Sequence, residues 1–163
     1  MGYTTDFEGN FKITFKDEVK MNEAFTLVNG LALTRRMKRD LSKLNGLPNI
    51  IESYGVDGEF YWKDDKNSGQ SNDCSVIDNN QPPSTQPSLW LQWIITKNEI
   101  DGSYNLEWDH GEKFYGYIEW LDYLITKVFE PNQITLNGEV DWEGEESDDT
   151  GTITVVDNII SID

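Results

Sequence analysis

Residues 134–143 read Ile134-Thr135-Leu136-Asn137-Gly138-Glu139-Val140-Asp141-Trp142-Glu143. Ile134, Leu136, Gly138, Val140 and Trp142 share one parity; Thr135, Asn137, Glu139, Asp141 and Glu143 share the other. Side chains on a strand alternate between faces, so this period of two predicts a half-buried β-strand. One face of it is apolar and the other carries a row of carboxylates. The same alternation runs through Phe7–Phe15, with Phe7, Gly9, Phe11, Ile13 and Phe15 against Glu8, Asn10, Lys12 and Thr14. It recurs over Thr152–Val156.

Working outward from these strands, Gly58–Lys63 is expected to be a short strand. Ser88–Thr96 is expected to be a buried one, because Leu89, Trp90, Leu91, Trp93, Ile94 and Ile95 leave little polar face. Asp101-Gly102 is a hairpin signal, with Tyr104–Trp108 as the return strand. Two segments have helical spacing instead. Asp17 can cap a helix reaching Asp40, with Met21, Phe25, Val28 and Ala32 on its apolar stripe. A second helix is expected to start at Asp109, where Glu112 completes a capping-box-like pair, and to stop at Pro131. Residues 44–57 read as connection, and residues 64–88 as a long polar loop. Hairpin-linked strands with two intervening helices indicate α+β: an antiparallel sheet of about five to six strands with both helices packed on one face. A length of 163 residues suits a single domain spanning 1–163.

Charge is distributed unevenly. The formal net charge is -17. Residues 1–45 hold eight Lys/Arg and six Asp/Glu, a balance of +2, whereas residues 46–163 hold five and twenty-four, a balance of -19. A small domain needs a net charge of only about 2–8 in magnitude for solubility. The excess repels itself and opposes compaction, which points to a use beyond solubility. Direct nucleic-acid binding and anionic membranes are disfavoured by the same field. The single cysteine, Cys74, allows no intrachain disulfide and fits a reducing compartment. No stretch approaches the ~20 apolar residues of a membrane span. The N-terminus lacks the pattern of a signal peptide. A cytoplasmic protein is expected.

No Walker loop, GxGxxG, GxSxG or HExxH pattern occurs, and no catalytic residue, metal or cofactor is implied. Residues 64–73 resemble a calcium loop but no Glu stands at the twelfth position. Glu107-Trp108-Asp109-His110-Gly111-Glu112 places the one histidine among three carboxylates; a lone histidine is too little for most zinc sites, and the acids fit a strand-to-helix corner. Outward side chains on a strand repeat every ~6.7 Å, two residues of rise. Glu139, Asp141 and Glu143 therefore form a carboxylate ladder, which Glu145, Glu146, Asp148 and Asp149 extend. Glu119 and Asp122, one helical turn apart, are expected to add a second row. Such a ladder can imitate the phosphates that nucleic-acid-binding proteins recognise. Arg35–Arg39 is the one basic stretch, expected at a helix C-terminus with Arg35 and Arg39 on one face. It can pair with the acidic half of the same molecule or of a second copy, so a homodimer is one arrangement the charges permit.

Gly2-Tyr3-Thr4-Thr5, Arg35-Arg36-Met37-Lys38-Arg39-Asp40, Pro82-Pro83, Gln86-Pro87, Leu89-Trp90 and Gln92-Trp93 carry a wider pattern. It continues in Trp108-Asp109, Glu112-Lys113-Phe114-Tyr115, Leu136-Asn137-Gly138-Glu139-Val140, Trp142 and Gly144-Glu145. In these segments the chain resembles a family of uncharacterised bacterial and phage proteins, to which no activity is attached. The resemblance implies a phage or mobile-element setting and a role against host defence.

The leading expectation is a non-enzymatic acidic protein that occupies the basic nucleic-acid-binding groove of a host protein. Reversing the charges of Glu139 and Asp141 should then abolish inhibition without unfolding. The alternative is a small-ligand binder or enzyme. Its pocket, between the sheet and the first helix, would use Arg36 and Arg39 for a phosphate and Asn80, Trp90, Glu107, Asp109 and Glu112 around it.

Overall fold

A computed structural model describes residues 2–44, 53–63 and 73–163. Its centre is the antiparallel pair β1 (Thr5–Phe15) and β6 (Ile134–Gly144), joined over their full length from Thr5 opposite Gly144 to Phe15 opposite Ile134. Gly9 and Gly138 sit at φ 113° and 149°, and a Cβ on either would lie 2.5–2.6 Å from a carbonyl oxygen of the opposite strand. Only glycine permits that approach. β5 (Tyr104–Trp108) flanks β1, and β4 (Trp93–Lys97) flanks β5. On the other side follow β7 (Thr150–Val156) and β8 (Ile159–Ile162). The sheet is six-stranded and antiparallel throughout, in the order β4-β5-β1-β6-β7-β8. β2 (Lys38–Arg39) and β3 (Val76–Asp78) form a separate small ribbon.

Helix α1 (Glu18–Leu33) and helix α2 (Tyr117–Leu124) cover one face of the large sheet. Phe7, Phe11 and Ile13 of β1 and Leu136 and Val140 of β6 share one buried cluster with Met21, Leu27 and Leu31 of α1 and Trp120, Leu121 and Leu124 of α2. This is the expected α+β arrangement. No helix among the described residues is long and apolar enough to cross a membrane.

Several boundaries differ from the sequence expectation, each for a tertiary reason. α1 stops at Leu33, seven residues before Asp40. Thr34 is extended, and its hydroxyl donates to the carbonyl of Lys63 and accepts from the Lys63 N–H. The arginines thus leave the helix, and Arg35 and Arg39 share no helical face. α2 starts at Tyr117 rather than Asp109. His110, Lys113 and Gly116 all have left-handed φ, which a helix cannot contain. The Asp109 carboxylate instead accepts from the Gly111 N–H at 2.8 Å, closing a local turn. α2 then continues as a π-helical turn over Ile125–Phe129 and a 3-10 turn at Glu130–Asn132, where Pro131 ends it as expected. Val56–Gly58 is a 3-10 turn, and the strand expected at Gly58–Lys63 does not form. The strand expected from Ser88 begins at Trp93. β8 was not expected; Asp157 and Asn158, both at left-handed φ, turn β7 back into it. Of the polar loop expected at 64–88, residues 64–72 lie outside the described residues, as do 45–52 of the connection. The segment from Asp73 is tied down: the Asp40 N–H donates to the Ser75 carbonyl and Arg35 donates twice to the Asn79 carbonyl.

Candidate partner-binding face

Both helices lie on one face of the sheet, so the other face is open. Parity decides what it displays. Inward residues of β1 and β6 are the apolar ones, leaving Asp6, Glu8, Asn10 and Lys12 of β1 and Glu139, Asp141 and Glu143 of β6 exposed on the open face. Register then places Asp6 opposite Glu143, Glu8 opposite Asp141 and Asn10 opposite Glu139. Facing residues on antiparallel strands have Cβ atoms about 4.5–5.5 Å apart, and like charges there repel. The expected single ladder is therefore a double one. Asp6 and Glu8 belong to it although the sequence reading did not include them. The alternation from Phe7 already placed Glu8 on the polar face; what it lacked was the knowledge that β1 pairs with β6.

The face extends sideways. Glu107 of β5 is half-buried and lies toward Glu8 and Asn10, across a shallow dip that His110 also lines. Thr150, Thr152 and Thr154 of β7 stand opposite Glu143, Asp141 and Glu139. The Thr152 hydroxyl donates to Asp141 at 2.6 Å. Asp6, Glu8, Asp141, Glu143, Thr150 and Thr152 together line an open depression. Among the described residues, Asp6, Glu8, Glu139 and Glu143 have no side-chain hydrogen bond or ion pair, and Lys12 is the cation on this patch. The two ion pairs among the described residues join Asp73 to Arg39 and to Lys63, away from the sheet face. No group of three or more His, Cys, Asp or Glu side chains among the described residues converges enough to hold a metal ion. The carboxylates form a spread array rather than a convergent cluster.

The loop acids divide into two kinds. Glu146 and Asp148 are exposed, and Glu145 is exposed while accepting from the Thr4 N–H at 2.6 Å. Asp149 is structural. It accepts from the Tyr3 hydroxyl at 2.7 Å and from Trp142 Nε1 at 3.0 Å, and these bonds hold its carboxyl below the usual carboxylate range. Glu119 and Asp122 sit on α2, beside a different depression lined by Ser84, Gln86, Tyr123 and Lys127. The helix layer separates them from the ladder, so no second row forms there.

The residues of the alternative pocket are not brought together. The Arg36 guanidinium is buried and donates to the carbonyls of Thr34, Glu59 and Tyr61. Burial, with the nearby Arg39 charge adding to it, pulls its pKa down. Arg39 is also buried, stacked 4.5 Å over the Tyr61 ring and bonded to Ser75 Oγ at 2.8 Å. Among the described residues, neither arginine lines the grooves that hold the other residues of this set. Asn80, Trp90 and Glu112 do share one, with Arg35 in place of its neighbours, and Trp90 borders a second groove with Asp109. Partial burial raises the Asp109 carboxyl. Glu107 is on the open sheet face. What the sequence reading missed is a buried polar hub: Glu59 accepts from Tyr123 at 2.8 Å, from Thr85 and from the Val56 N–H. Its alignment depends on residues more than sixty positions apart, and no local pattern signals it.

Compared with known family models, with curated proteins and with solved structures, the chain matches none.

Proposed function

We propose that this protein is a non-enzymatic acidic interaction protein that lays its open sheet face into the basic nucleic-acid-binding groove of a partner and excludes nucleic acid from it. One observation carries the reading: the like-charge cross-strand pairs Asp6–Glu143 and Glu8–Asp141 at the centre of an uncovered sheet. Such pairs weaken the fold, and a protein that keeps them exposed gains from them in a complex. Against a cationic groove the same array is attractive and steers association, with a strong dependence on salt. The array supplies closely spaced negative charge, the property through which basic grooves hold nucleic acid. The class of partner proposed is a host nucleic-acid-binding defence protein, as the sequence reading expects.

In the ligand-pocket alternative Arg36 is engaged by backbone carbonyls and Arg39 by Ser75, Asp73 and the Tyr61 ring, and no observation favours it over the sheet face.

The test uses the immobilised protein to capture partners from a bacterial lysate at low salt, with release at about 0.5 M salt, where the screening length is only a few Å. The released protein is identified, and its binding to nucleic acid is measured with and without the acidic protein. Competition is expected from the native chain and not from Asp6→Lys/Glu8→Lys. Nucleic-acid binding undisturbed by the native chain, or equal competition by the variant, would overturn the reading.

A further inference from the structure

The two edges of the sheet are treated differently. The β4 edge is closed by helix α1: Asn29 donates from Nδ2 to the Ile95 carbonyl at 2.9 Å and accepts from the Ile95 N–H at 2.8 Å. One side chain thus does there what a neighbouring strand would do. β8, at the other edge, has no such cover among the described residues. Thr152 and Asp163 exchange both backbone bonds, at 3.2 and 3.0 Å. In an antiparallel ladder such pairs alternate, so Ser161 and Ile159 also turn their backbone groups inward to β7. Ile160 and Ile162 turn theirs outward, to the free edge.

An exposed edge strand is normally protected by charge, proline or a bulge. β8 (Ile159–Ile162) has none of these within it, although Asp163 continues its ladder opposite Thr152. Between Thr150 and Ile162 the only charged residue is Asp157, at the tip of the β7–β8 turn, in a chain with 30 acids. Val156, Ile159 and Ile162 are 57%, 72% and 51% exposed. Ile159–Ile162 themselves carry no charge that would oppose the pairing of two copies; the acid nearest to them in the ladder, Asp163, stands at the strand's end.

The geometry points to a second copy of this chain as the occupant of that edge, through antiparallel β8–β8 pairing. Placing Ser161 opposite Ser161 of the second copy sets Ile160 against Ile162 in both directions. Every outward N–H and C=O of the two residues is then matched. Antiparallel pairing of identical strands requires a two-fold axis perpendicular to the sheet, so the interface is isologous. The result is one twelve-stranded sheet with both carboxylate faces on the same side. At a strand spacing of about 4.8 Å, the two β6 rows lie five strands, or roughly 24 Å, apart. The dimer does not depend on the proposed function, but it would double the charged face that function uses.

The two interactions respond to salt with opposite sign. Two copies of net charge -17 repel, so screening strengthens the dimer, whereas it weakens capture of a basic partner. The test is sedimentation of the native protein, without partner, up to about 0.5 mM, as suits an interface at the small end of the size range. A shift toward twice the chain mass is expected, larger at about 0.5 M salt than at low salt. Ser161→Lys, which sets two ammonium groups face to face at the axis, and Ile162→Pro, which removes an outward N–H, should each return the mass to that of one chain while leaving the far-UV spectrum unchanged. A native protein that stays at one chain mass throughout, or a dimer that survives both substitutions, would overturn the inference. A monomer that still competes with nucleic acid would leave the proposed function standing.

Discussion

Gly30 shows how a single residue can reverse a rule drawn from local propensity. In a helix interior glycine costs about 1 kcal/mol relative to alanine, so Gly30→Ala should stabilise an isolated α1. Here the Trp62 ring lies against the helix, and a Cβ at position 30 would fall 2.3 Å from Trp62 Cδ2 and 2.6 Å from Cε2. The ring has to move for any side chain to fit. Gly30→Ala is therefore expected to lower the unfolding free energy by about 1–3 kcal/mol in urea titration, the range for overpacking. Asp149 is a second residue whose role its neighbours decide. Hydrogen bonds from Tyr3 and Trp142 hold its carboxyl below the ordinary 3.8, so the folded state favours the ionised form. The stability this contributes is complete above the ordinary value and is lost as pH falls through the lowered one. Asp149→Asn is expected to be less stable than the native chain at neutral pH, with the difference narrowing as the medium is acidified below the ordinary carboxylate range. A difference unchanged by acid would show that the ionised carboxylate is not what holds the Tyr3–Trp142 corner.

At the scale of elements, β1 and β6 combine a full-length ladder with opposed carboxylates. Stability and binding should then separate on the same side chains. Glu8→Lys turns the Glu8–Asp141 repulsion into an attraction, and Asp6→Lys does the same opposite Glu143. Cross-strand charge pairs are worth roughly 0.2–1 kcal/mol each, so the double variant is expected to melt at a higher temperature than the native chain. Loss of nucleic-acid competition by a more stable protein cannot be ascribed to unfolding. A lower melting temperature would mean that these carboxylates are stabilised by something other than their facing partners. The helices illustrate the limits of pattern at this scale. The apolar spacing of α1 and the stop at Pro131 were legible in the sequence. The early end of α1 was not, because it is made by Thr34 binding the backbone of Lys63, twenty-nine positions away. The late start of α2 was not legible either. Asp109 and Glu112 have capping-box spacing, but Gln92 draws the segment away, accepting from Trp108 Nε1 and donating to the Glu112 carbonyl.

For the whole molecule, the relevant quantity is the field of a net charge of -17 on one compact core. With only two ion pairs among the described residues, both on Asp73, most of this charge is unbalanced by contact. Self-repulsion of that kind is relieved by screening. The melting temperature is expected to rise by several degrees between about 0.02 and 0.5 M sodium chloride, across which the Debye length falls from roughly 20 Å to a few Å. Magnesium chloride at equal ionic strength should add little, since the carboxylates are arrayed rather than convergent. A salt-independent melting temperature would show that the acidic face does not strain the fold.

Period-two alternation, the Asp101-Gly102 turn and the apolar stripes of two helices were enough to determine an α+β sheet with one covered face. Parity alone put Glu139, Asp141 and Glu143 on the uncovered one. These are local properties, set by which side of a strand or helix a residue occupies. The partner of each strand is not local. That β1 lies beside β6, bringing Asp6 and Glu8 to Glu143 and Asp141, was decided by the closing of the core across more than a hundred residues of chain. The same closure buried Arg36, whose guanidinium supplies several interior backbone carbonyls at once, and Arg39, which is held by Ser75, Asp73 and the Tyr61 ring. Whether a charged side chain becomes a binding surface or an internal brace thus depended on tertiary packing, which composition and spacing do not encode.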